Sequence, residues 1–257
     1  MPHFGAFRLS EITDTIIEDW ITEQAEELSQ ATVANLLRNL KTMLNYAVKR
    51  KLIWQNPAAG ITVRQATLPR GILSVDEARK LFASRDVWRD DVSYALNRFA
   101  AETGCRKGEL LRLQGADLYD EHVLLRRTKG EDPHRTFVVP VPPATIELIR
   151  GLPIKGPYAF SLDGGESPYP SWEVTSRFYE ALSGIGISDK ERAERRITFH
   201  SWRHFFNTYL RGRGIADAKI AAVTRHKTAA MMERYTHWDP SHFSDVIIAQ
   251  QQLWERT

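Results

Sequence analysis

From Thr32 to Arg50 the chain reads TVANLLRNLKTMLNYAVKR, with apolar residues at Val33, Leu36, Leu37, Leu40, Met43, Leu44, Ala47 and Val48. That spacing predicts a helix with one buried face. Arg38, Lys41, Asn45 and Lys49 fall on another side of it. An earlier segment around Ile12 to Leu28, carrying Ile16, Ile17, Trp20 and Ile21, predicts a shorter helix, and Ser29 is placed to cap the next one. After Trp54 the run QNPAAGITVRQATLPRG is rich in Pro, Gly and small residues and predicts a linker. The chain therefore divides into a short helical domain at 1–59, a linker at 60–72 and a larger domain at 73–257.

Polar punctuation organises the larger domain. In SVDEARKLF, Ser74 is followed three residues later by Glu77, a capping-box spacing. Residues 92–102 continue as a helix that stops at TGCRKG. HVLLRRTKGEDPHRTFVVPVP carries β-branched residues on both sides of TKGEDP, which predicts a β-hairpin. From Ala144 onward the pattern is again helical, broken by a loop near LDGGESPYPS. The expected fold class is mainly α with one small antiparallel sheet (α+β).

Charge changes this picture by its distribution, since the net value is only +3. Met1 to Gln30 holds seven acidic residues against Arg8 alone; Ala31 to Arg70 holds seven basic residues and no acid. A polyanion suits such a stretch, because phosphate contacts release condensed counterions. Arg38, Lys41 and Lys49 are the candidate DNA-contacting residues there. No apolar run approaches the roughly 18 residues of a membrane span, and MPHFGAFRLSEITDT lacks the apolar centre of a signal peptide. The one cysteine, Cys105, agrees with a reducing compartment. A cytoplasmic protein without membrane contact is expected.

Residues 197–214, ITFHSWRHFFNTYLRGRG, combine both signals. Phe199, Trp202, Phe205, Phe206, Tyr209 and Leu210 form one helical stripe, and His200, Arg203, His204, Asn207 and Arg211 another. His200 and His204 have the i, i+4 spacing of a zinc helix, but Ser201 stands where the protease motif needs Glu, and no segment supplies further ligands. No metal is expected. Between Lys190 and Arg213, seven basic residues face two acids, so an anion is expected.

Four segments in order carry a resemblance. TGCRKGELLRLQGADL resembles the first arginine motif of the tyrosine recombinases, the phage integrase family. RTKG resembles their lysine turn, HSWRHFFNTYL their His-x-x-Arg box, and TRHKTAAMMERYTH the segment with their last histidine and nucleophilic tyrosine. YAVKRKLIWQNPA is similar to the end of their core-binding domain. The resemblance implies a site-specific recombinase that cleaves and rejoins double-stranded DNA through a covalent 3′-phosphotyrosyl intermediate, with no cofactor. Tyr235 would be the nucleophile, and Arg106, Arg203 and His226 would stabilise charge on the nonbridging phosphate oxygens. Lys129 would protonate the departing 5′ oxygen, and His200 would take or relay the tyrosine proton. Glu109 would hold the Arg106 loop without touching substrate. A prokaryotic or phage-encoded enzyme and a homotetramer on two DNA sites are implied too.

The chemistry is consistent with these residue types. A phenol can attack phosphorus and leave again, but with a free pKa near 10 it needs a base or a strong positive field. Arginine's planar fork can donate two hydrogen bonds to one phosphate. Other tyrosines, such as Tyr179 and Tyr209, would look equally suitable without the resemblance, and Cys105 has no pairing base and reads as a packing residue.

Some positions depart from the family pattern. Arg225 stands where glycine is usual before the last histidine, which questions the tight turn or adds a phosphate contact. Trp202 replaces the commoner leucine but faces the apolar stripe. The N-terminal domain is short, as though truncated. After Tyr235, Phe243, Val246, Ile247, Gln250, Leu253 and Trp254 share one helical face; by resemblance this tail docks on a neighbouring subunit, and packing on its own domain is the alternative. A type IB topoisomerase and a non-catalytic DNA-binding protein are the competing functions.

Overall fold

The computed structural model describes residues 3–64, 71–126, 136–225 and 243–255. The chain forms two compact units, Met1–Pro69 and Arg70–Thr257. In the first, two short 3₁₀ turns lead into α1 (Asp14–Glu27) and α2 (Gln30–Lys49). Thr13 caps α1 and Ser29 caps α2, each accepting from a backbone N–H three residues on. Leu37, Leu40 and Leu44 meet Ile17, Trp20, Phe4 and Ala58 in a small core.

Two details differ from expectation. Met43 is 47% exposed, because at about 100° per residue it lies roughly 80° from the centre of the buried stripe. The segment after Trp54 is also less free than its composition suggests. Asn56 donates to the Lys41 carbonyl and the Asn45 side chain, and Ile61 and Val63 pack on the first core. Ile61 and Val63 fall within the expected linker at 60–72, of which 65–70 lie outside the described residues.

The second unit begins with Leu73 buried and α3 (Val75–Ala83) closed by the expected capping box. Then follow α4 (Asp91–Thr103), the short α5 (Lys107–Leu110), β1 (His122–Arg126), β2 (Thr136–Pro140) and α6 (Pro143–Arg150). After these come α7 (Ser171–Gly184), α8 (Asp189–Glu194), α9 (Ser201–Gly212), α10 (Asp217–Thr224) and α11 (Ser244–Gln252). The strands are antiparallel, with Val123 opposite Val139 and Leu125 opposite Phe137. Helix α4 is the axis of the core, and its Ala95, Ala100 and Ala101 leave room for α6, α7 and α9 to approach.

The aromatic stripe of α9 is buried as its spacing predicts. Trp202 is fully enclosed and donates its indole N–H to Asn97 of α4 at 3.0 Å, which satisfies the one polar atom of a bulky core residue. The predicted tail face is buried as well, but on its own unit. Phe243, Val246, Ala249 and Leu253 join the main core, and Gln250 donates to the carbonyls of Glu102 and Pro140. No helix among the described residues is long and apolar enough to cross a membrane.

Candidate active site

The turn TGCRKG is shaped by one glycine. Gly104 ends α4 in the left-handed region at φ 57°, which favours a residue without Cβ. It also lies so close to α9 that a Cβ there would sit 2.8 Å from the Phe206 ring. The approach lets the Gly104 carbonyl accept a hydrogen bond from Arg203 Nη1 at 2.9 Å. Cys105 beyond it is buried, and burial pushes its thiol up to about 12, so it is no nucleophile at neutral pH.

Arg106 opens α5, and Glu109 turns back to accept the Arg106 backbone N–H at 2.9 Å and its Nη1 at 3.1 Å. Arg106 Nη2 donates to the Arg225 carbonyl at 3.4 Å, and Arg203 Nη2 donates to the Thr224 carbonyl. Two carbonyls at the C-terminal end of α10, where the helix dipole is negative, are thus held by guanidinium groups. Helix α10 stops in the tight turn that Arg225 put in question, with Arg225 itself in the left-handed conformation at φ 56°.

The side chain of Arg225 turns inward. It is 7% exposed and paired with Glu109, and its guanidinium lies 5.2 Å from the Phe137 ring centroid on β2. A buried carboxylate draws the cation inward.

Among the described residues, three cations, Arg106, Arg203 and Arg225, thus lie around one carboxylate. Arg203 is 3% exposed and, among the described residues, pairs with carbonyls and not with an acid. Burial, reinforced by the charges of Arg106 and Arg225, pulls the Arg203 guanidinium down to about 10. Burial likewise lowers Arg225. Arg106 is the open member, its side chain 43% exposed. A surplus of buried positive charge is costly unless an anion meets it.

His200 precedes the first turn of α9 and is half-buried, with its ring edge-on to His204 at 5.1 Å. Among the described residues no group of three His, Cys, Asp or Glu side chains converges on a metal position. Lys129, His226 and Tyr235 lie outside the described residues. The basic run from Lys190 to Arg213 is not one anion surface: Arg192 pairs with Asp189, Arg195 with Glu77 and Glu191, and Arg211 with Asp217. In the first unit Arg38 and Lys49 are exposed, whereas Lys41 donates to the Ala59 carbonyl at 3.0 Å. Reading along the chain missed Asn97 under Trp202 and the Glu109–Arg225 pair, because neither partner carries a local signal.

An arginine cluster thus lies where a helix-ending turn, β2 and a buried aromatic helix meet in a mainly helical domain. Residues 72–242 match the phage integrase family, and residues 3–63 match the phage integrase SAM-like domain. The chain belongs to the phage integrase family, the tyrosine recombinases, enzymes that cut and rejoin DNA at specific sites. It is similar to the tyrosine recombinase XerD of Listeria innocua, 24% identical over 237 residues that cover 86% of this chain and 76% of the relative. Its fold is similar to that of the Tn1549 transposon integrase in complex with a circular intermediate DNA, with a TM-score of 0.70, 20% identity and coverage of 96% and 87%. A lambda integrase tetramer bound to a Holliday junction aligns with a TM-score of 0.68 and 19% identity, over 90% of this chain and 67% of that one.

Proposed function

We propose that the arginine cluster binds the scissile phosphate of a double-stranded DNA site and that Tyr235 attacks it. The observation that carries this reading is the charge surplus: Arg106 and Arg203 approach a site where, among the described residues, the one carboxylate, Glu109, is already shared with Arg225. In the transition state negative charge grows on the nonbridging oxygens, where Arg106, Arg203 and His226 supply the opposing field. His200 takes the proton from the phenol as its oxygen bonds to phosphorus, and Lys129 gives a proton to the 5′ oxygen as that bond breaks. The products are a 3′-phosphotyrosyl bond and a free 5′ hydroxyl. One phosphoester replaces another, so rejoining runs the same steps backwards without ATP.

The order of the four motifs supports these roles for Lys129, His226 and Tyr235. The domain division at 1–59, 60–72 and 73–257 is proposed to serve a clamp around DNA, with Arg38 and Lys49 on phosphates. Assembly as a homotetramer on two sites is proposed by analogy with the tetrameric lambda integrase structure. In that assembly α11 would leave its own unit for the identical seat on a neighbour, an exchange that trades one set of contacts for the same set. Such an enzyme would act in the cytoplasm of a prokaryotic cell.

The test uses a pool of nicked duplexes with randomised arms, incubated in chelator, followed by recovery and sequencing of denaturant-resistant protein–DNA adducts. Wild type is expected to yield adducts enriched in one sequence, and Tyr235→Phe none. Adducts that persist in Tyr235→Phe would remove Tyr235 as nucleophile. Adducts without sequence preference, together with relaxation of supercoiled DNA, would point to a topoisomerase.

A further inference from the structure

We infer that Arg225 is a positioning residue for Arg106: it occupies one oxygen of Glu109 and so keeps the Arg106 guanidinium from folding onto that carboxylate and away from DNA. The inference rests on the reading of Arg106 as a phosphate ligand. Glu109 is buried and offers two oxygens. Oε1 accepts Arg106 Nη1, while Oε2 is taken by the Arg106 backbone N–H and by Arg225 Nη2. Arginine readily grips a carboxylate at two points, yet here the Arg106 side chain reaches one oxygen only. Its other terminal nitrogen is held by the Arg225 carbonyl. Arg225 thus fixes Arg106 twice, by its side chain through Glu109 and by its main chain directly.

Arg225 is itself held firmly. Its backbone closes α10, and its guanidinium is anchored over Phe137 of β2. The residue therefore ties together the Arg106 loop, the hairpin and the position just before His226. Nε and Nη1 of Arg225 are buried without a hydrogen-bond partner among the described residues. Leaving donors unmade has a cost, so this cation is poorly explained by its own bonding and better explained by the neutralisation of Glu109.

The test compares single-turnover adduct formation with DNA affinity across a range of salt, using the nicked duplex recovered by the selection above. Arg225→Gly suits the left-handed backbone, and its melting curve is recorded beside wild type. Adduct formation is expected to fall about 10- to 100-fold, the range found for groups that orient ligands at metal centres, with affinity and its salt dependence unchanged. Arg225→Lys is expected to recover part of the rate, because an ammonium can still meet Oε2, and it remains decisive should the glycine variant melt early. Adding Glu109→Gln to Arg225→Gly is expected to restore part as well, since a neutral amide holds Arg106 less tightly.

A wild-type rate in Arg225→Gly, or a double variant no faster than the single, would overturn the inference. A salt slope smaller by about one would also overturn it, making Arg225 a phosphate contact instead. Wild type without adduct would overturn the phosphate reading and this inference together. An active wild type beside an unimpaired Arg225→Gly would overturn this inference alone.

Discussion

Glu102 and Glu109 are both buried carboxylates on adjoining helices, and their surroundings differ in one respect. Glu102 accepts from Arg98 at 2.6 Å, from Thr145 at 2.6 Å and from the Trp254 indole at 2.7 Å. One anion meets one cation and two neutral donors, and the Arg98 guanidinium lies 3.6 Å from the Trp254 ring centroid. Charge is closed there, and the cluster pins the end of α11 to α4. Glu109 instead serves two arginines with a third close by, so among the described residues cations outnumber acids there. A balanced buried pair belongs to the fold; on the reading proposed above, an unbalanced one awaits a phosphate.

The largest effect is expected at the closed cluster. Glu102→Ala would strand Arg98 and two donors, at a cost of about 3–5 kcal/mol. Thermal unfolding should shift downward by roughly 6–20 °C for a unit of this size. An unchanged melting temperature would refute the division between the two carboxylates.

At the open cluster, Arg203→Met keeps the packing stem and removes a buried charge. Adduct formation is expected to fall by about 10²- to 10³-fold, while stability falls by only about 1–2 kcal/mol, since relief of a buried charge offsets part of the cost of leaving the Gly104 and Thr224 carbonyls unmet. Melting as low as that of the Glu102 variant would make Arg203 structural.

The smallest effect calibrates the other two. Glu77 pairs through both oxygens with Arg195, at 2.6 and 2.8 Å, nearer the surface. The hydrogen bond from Arg195 holds the Glu77 carboxyl down to about 2. A depressed carboxyl pKa stabilises the fold above its ordinary value of 4.5 and loses that contribution as pH falls from 4.5 towards 2. Glu77→Gln retains the cap and loses the charge. Denaturant titrations from pH 7 to pH 2 should show wild type losing about 1 kcal/mol more than the variant, a figure that allows for solvent screening. Parallel pH curves would mean the pair adds nothing.

What could be read from the chain was local. Ser29, Ser74 with Glu77, and the aromatic stripe of α9 each announce themselves within one or two helical turns, and the structure has them as expected. The four motifs also brought Arg106, Arg203 and Glu109 to notice, and these three converge. Pairings across long separations were hidden: Trp202 with Asn97 is 105 residues apart, Arg225 with Glu109 is 116, and Trp254 with Glu102 is 152. Nothing in a helical period says which distant carboxylate an arginine will meet. Arg225 looked like a surface cation for that reason, and so did much of the run from Lys190 to Arg213.

Gly104 has a mechanical role as well as a conformational one. Bare backbone rests against the Phe206 ring, and that contact sets the spacing between the loop bearing Arg106 and the helix bearing Arg203. The two guanidinium groups repel each other, so a softer joint would let them drift apart in free protein. A rigid stop between turn and ring holds them in place, and on the reading proposed above a phosphate entering the site would find its charges already arranged.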